Sequence, residues 1–155
     1  MTTNDIRLVR QYRQTIAASP KRIFPLLCPV READYLPHWQ YRMVYSSSGV
    51  AEAGCVFATP AGGGGEITWM ITEHQPAQRV GFAWVHPDRL AARLSFTLSP
   101  AGDGTELSAR YEYTALSQAG ATELAGYTDE WFAGKMKHFG TCLGHYLAAG
   151  RMLAI

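Results

Sequence analysis

The closing third of the chain constrains it most. From about Thr128 to Leu153 one run places Phe132, Met136, Phe139, Leu143 and Leu147 at spacings of four, three, four and four, which is the apolar stripe of a long amphipathic helix. The stretch before it is dominated by a period of two, the mark of strands. A helix with one apolar face must bury that face against another element. Here the partner is an antiparallel sheet, and the space between helix and sheet decides what the molecule can do.

The rest of the order follows from breaks in the pattern. Ile6 to Ala18 alternates, with Leu8, Tyr12 and Ile16 on one side and Arg13 and Thr15 on the other, and reads as a first strand. Ser19-Pro20 then supplies an N-cap oxygen and a first helical residue whose missing N–H costs nothing there, so a short helix starts at Pro20 and turns Ile23, Phe24 and Leu27 inward. Pro25 weakens it and Pro29 ends it, and a second short helix is expected over Arg31 to Leu36, before Pro37. Six strands follow, near Trp39–Ser46, Cys55–Pro60, Glu66–Gln75, Arg79–His86, Arg89–Ser99 and Thr105–Leu116. The links between them are short and rich in turn formers, so neighbouring strands are antiparallel. The glycine run AGGGGE lacks the spacing of a phosphate-binding loop and reads as a flexible hairpin turn.

Composition narrows the partners. Fourteen basic and thirteen acidic residues are interspersed along 155 positions, which leaves no electrostatic footprint for nucleic acid or an anionic membrane. No apolar run approaches the roughly 18 residues of a membrane span. Cys28, Cys55 and Cys142 form no CxxC pair, and the start MTTNDIRLVR has no apolar leader, so reduced thiols and a cytoplasmic location are expected. With neither linker nor repeat, residues 1–155 read as one domain. No cofactor is called for, and a homodimer is left open.

The strings SPKRIFPLLCPVREADYLPHW, GFAWVHP and GTELSARYEYTAL, with the closing helix, resemble the START-like or Bet v 1-like (SRPBCC) superfamily. The likeness is strongest to small bacterial polyketide cyclase/dehydrase-like domains and to activator-like domains of the heat-shock chaperone ATPase. It implies an α+β helix-grip fold. In that fold a curved seven-stranded antiparallel sheet wraps the C-terminal helix, two short helices follow strand one, and a hydrophobic cavity lies between sheet and helix.

Strand parity nominates the lining. Val80, Phe82, Trp84 and His86 share one face, as do Leu107, Ala109, Tyr111 and Tyr113, which leaves Arg110 and Glu112 in water. Ile67, Trp69 and Ile71 are expected inward, and so are Tyr41, Met43 and Tyr45, although a single bulge would invert either set. The inward set is rich in aromatics with a polar tip, which suit a pocket better than a dry core. The ligand-binding candidates are therefore Tyr41, Trp69, Phe82, Trp84, His86, Tyr111, Tyr113, Trp131 and His138. His138, Cys142 and His145 share one side of the helix but are incomplete as a zinc set, and a Cys142–His138 nucleophile would suffer from a buried thiol, so neither metal site nor catalytic residue is assigned. Acid–base work by Glu66, His86, Tyr111 or Tyr113 is the alternative, as in a cyclase, aromatase or hydrolase. A co-chaperone-like interaction role is the third. The reading favoured is non-catalytic binding of a hydrophobic or aromatic small molecule, a lipid or a polyketide-like compound.

Overall fold

The computed structural model describes residues 6–154. Strand β1 (Arg7–Ile16) is followed by α1 (Pro20–Ile23), a 3-10 turn (Phe24–Leu26) and α2 (Pro29–Glu32). Strands β2 (Arg42–Tyr45), β3 (Val56–Pro60), β4 (Glu66–Gln75), β5 (Arg79–His86), β6 (Leu90–Ala101) and β7 (Gly104–Ala115) come next. Helices α3 (Gln118–Leu124) and α4 (Asp129–Ala149) close the order. The strands form one antiparallel sheet in the order β1-β7-β6-β5-β4-β3-β2, so β1 returns to pair with the last strand while the rest is a meander.

Local chemistry explains the helix ends. The Ser19 hydroxyl accepts the Arg22 N–H at 3.3 Å with Pro20 as the first helical residue, as the sequence implies. Pro29 corrects the reading at the next step: it opens α2 instead of ending α1, because the extended Cys28 serves as N-cap and the proline occupies the first turn. That helix therefore covers Pro29–Glu32 and not Arg31 to Leu36. Thr128 caps α4 by accepting the Trp131 N–H at 3.1 Å. Gly150, with φ of +73°, ends α4 four residues earlier than the apolar pattern suggests.

The stripe packs as expected: Phe132, Met136 and Leu143 are buried and Phe139 and Leu147 are half-buried against the sheet. Alternation holds along β5 and β7, where Val80, Phe82, Trp84, Leu107, Ala109, Tyr111 and Tyr113 all enter the core. Three expectations fail. A register shift between Met43 and Tyr45 throws Tyr45 outward, 60% exposed. Tyr41 and Trp39 precede the strand instead of belonging to it, and the Trp39 indole donates to the Pro29 carbonyl at 2.8 Å. Glu112 does face outward, but Arg93 and Arg110 close on its carboxylate at 2.6 and 2.8 Å and leave it only 9% exposed, with its pKa held below the usual carboxylate range.

Helix α3 is absent from the expected order. The Ser117 hydroxyl caps it by accepting the Gly120 N–H at 3.2 Å, and Gly120 is buried directly against the β5–β6 turn. A Cβ at Gly120 would stand 1.9 Å from the Arg89 carbonyl oxygen, a backbone atom that cannot swing away. Gly120→Ala should therefore cost about 2 kcal/mol in urea-unfolding experiments. An unchanged midpoint would show that the two segments are not held in contact.

Candidate ligand site between sheet and long helix

Two chambers open between the concave face of the sheet and the N-terminal half of α4. The first holds about 330 Å³. Its walls are Phe57 (β3), Phe82 (β5), Phe96 (β6), Met136 and Phe139 (α4), and its far end is closed by Glu32 of α2 and the Leu36–Trp39 loop. The second holds about 470 Å³ and lies toward the start of α4, among Trp84, His86, Tyr113, Tyr127 and Trp131, with Gly62 and Gly63 of the β3–β4 turn at its rim. Trp69, Tyr111 and Lys135 border both chambers and so form the partition between them. Each volume lies within the roughly 300–1,000 Å³ typical of small-molecule sites.

The sheet supplies a continuous aromatic wall because facing residues of neighbouring strands stack across it. Trp69 lies flat on Phe57 at 5.3 Å and 15°, and edge-on to Phe82 at 5.9 Å. Phe96 bridges sheet to helix by stacking on Phe139 at 5.6 Å, and Tyr111 meets Phe132 edge-on at 5.1 Å. Trp131 stacks on Tyr127 at 4.0 Å, which holds its indole at the mouth of the second chamber, 37% exposed. In each case the ring is positioned by another ring and not by a flexible chain.

Among the sequence-nominated residues, Phe82 and His138 line the first chamber, Trp84, His86, Tyr113 and Trp131 the second, and Trp69 and Tyr111 both. Tyr41 lines neither. Glu66, the acid–base alternative, opens β4 at the β3–β4 hairpin, in an ion pair with Arg42 at 2.6 Å, and lines neither chamber. Cys142 lies 3.7 Å from His138, with its thiol pushed up by burial. Among the described residues no three His, Cys, Asp or Glu side chains converge to hold a metal ion.

The polar groups that matter most are ones the sequence reading missed. The Glu32 carboxyl faces the first chamber, and burial raises its pKa to about 8, so it is mostly protonated at neutral pH. Lys135 lines both chambers while remaining exposed to solvent on α4, and the protein around it shifts its pKa downward by desolvation. Its ammonium nitrogen stands 5.5 Å over the Tyr111 ring and 5.2 Å over the Trp131 ring. Among the described residues, no hydrogen bond or ion pair engages the side chain of Glu32 or of Lys135, and the Tyr113 hydroxyl is buried without a partner. Tyr111 is likewise driven up, by burial and then by the nearby Glu32. A largely apolar space lined by a few polar groups that no protein partner engages is suited to orienting a bound molecule.

This architecture recurs in solved structures. Protein MLL2253 from Mesorhizobium loti superposes with a TM-score of 0.65 at 18% identity, over 91% of this chain and 97% of that one. Ara h 8.0201 superposes at 0.62 with 13% identity, over 92% and 99%. The chain has the Bet v 1-like fold. CalU16 from Micromonospora echinospora matches at 0.61 and 17% identity over 91% of this chain and 82% of that one. DynU16, a protein of the dynemicin biosynthetic locus, matches at 0.63 and 17%, with this chain spanning 48% of its length. No protein-family model and no curated protein matches the chain by sequence.

Proposed function

We propose that the protein binds a hydrophobic or aromatic small molecule, lipid or polyketide-like, in the space between the sheet and α4. The observation that carries this reading is the first chamber, an aromatic-walled volume of about 330 Å³ into which the unpartnered Glu32 and Lys135 face. A chain that needed only a core would fill such a space with aliphatic side chains, since voids forfeit contact energy. The fold shared with Ara h 8.0201 and with DynU16 of a biosynthetic locus supports the same reading. Three buried thiols, none in a disulfide, accord with a cytoplasmic site of action.

A second reading, acid–base catalysis on the bound molecule, is favoured by one specific observation. Glu32, a carboxyl still protonated near neutral pH, shares the chamber with Tyr111, and such a pair could protonate or polarise a carbonyl.

Native mass spectrometry of protein purified from its own host tests binding directly, because a retained ligand adds a discrete mass. With the fluorescent apolar probe phenylnaphthylamine, Phe82→Ala, in the wall of the first chamber, should weaken binding several-fold. Arg110→Ala, on the opposite face of the sheet, should leave it unchanged. Equal effects would place the probe outside the first chamber.

A further inference from the structure

We propose that Lys135 is an anion anchor, and that the natural ligand is an aromatic acid whose carboxylate or enolate oxygen sits at the partition while its rings lie in the first chamber. This rests on the ligand-binding reading above and specifies the ligand's chemistry. Lys135 is placed at the narrow boundary shared by both chambers, with its nitrogen held over the faces of Tyr111 and Trp131. Ring faces favour a cation, but they do not neutralise it.

The protein supplies no counter-ion among the described residues. Glu32, the only carboxyl lining the first chamber, makes no ion pair with Lys135. Glu123, the only carboxyl lining the second, is already engaged by Arg89 at 2.6 Å and by the Tyr127 hydroxyl. The Lys135 ammonium, exposed to solvent and without an ion-pair partner among the described residues, is free to pair with an acidic group of a ligand that enters at this point. Burial also keeps Glu32 protonated at neutral pH, so it does not repel an anion and can donate a hydrogen bond to an acceptor at the ligand's other end. The other basic side chains of the linings, His38 and His138 in the first chamber and His86 and Arg89 in the second, add no negative charge.

The test uses two probes with the same rings, anilinonaphthalene sulfonate and its uncharged parent phenylnaphthylamine, titrated against the full chain by fluorescence. Wild type should bind the sulfonate at least tenfold more tightly. Lys135→Met, which keeps the length of the side chain without its charge, should lose that preference while still binding the neutral probe. Lys135→Arg should retain it. Equal affinities of wild type for the two probes, or a preference that survives in Lys135→Met, would overturn the proposal while leaving the ligand-binding reading intact. Failure of wild type to bind either probe would overturn both.

Discussion

Glu32→Gln should flatten the dependence of stability on pH and make the protein more stable than wild type in alkali by about 3 kcal/mol. In the folded chain this carboxyl titrates at about 8, against 4.5 when it is free, because burial at the end of α2 penalises its charged form. Below the free value it is protonated in both states and contributes no difference. Between the two values the unfolded chain is ionised while the folded one still holds its proton, so stability falls as pH rises. Above about 8 both states are ionised and the loss is complete. The full shift corresponds to about 5 kcal/mol, and because water can enter the chamber beside the carboxyl a smaller figure is expected. Glutamine has the same shape and no charge at any pH. Urea unfolding at about pH 5 should therefore give similar wild-type and variant stabilities, and at about pH 9 a clear gain for the variant. A gain of the same size at both would mean that Glu32 is not buried as a neutral acid.

That carboxyl also shows where reading the sequence stops. The elements were legible because each is announced locally: Ser19-Pro20 and Thr128 cap helices, and β4 and β5 lie where the alternation puts them. The missed helix α3 had weaker signals, a capping Ser117 and an Ala-rich turn, and its strongest reason to form, the contact of Gly120 with Arg89, is tertiary. In the same way, parity identified the aromatic strands correctly but could not foresee the shift at Met43–Tyr45, which depends on pairing with β3. Trp69 and Tyr111 stand out in the sequence as aromatics with polar tips, whereas Phe57 and Phe96, which also line the first chamber, have the composition of ordinary core. Glu32 and Lys135 were invisible for a physical reason. A charged residue at the end of a short helix or on the flank of a long one normally faces solvent, and only the wrapping of the sheet around α4 makes the half-buried Glu32 and the exposed Lys135 part of a chamber lining.

The partition gives the second large effect. Trp69 stacks on Phe57, meets Phe82 edge-on and donates its indole N–H to the Thr59 hydroxyl at 3.0 Å, so one side chain both closes the wall between the chambers and ties β4 to β3. Trp69→Ala should cost about 3 kcal/mol, the low end for loss of a large aromatic because this one is only half-buried. Part of that cost is the Thr59 hydroxyl, 7% exposed, which would be left without its partner. The functional consequence runs in the opposite direction. Without the indole, the remaining partition is Tyr111 and Lys135 alone, contributed by β7 and α4, and the two spaces join along the sheet. A long rod-shaped apolar probe such as diphenylhexatriene, poorly accommodated by either chamber separately, should then bind at least tenfold more tightly than to wild type, while the compact phenylnaphthylamine gains nothing. Trp69→Phe keeps a ring in the wall and should behave like wild type with both probes. If Trp69→Ala weakened the two probes equally, Trp69 would be a contact surface and not a divider, and the chambers would have to be treated as independent sites.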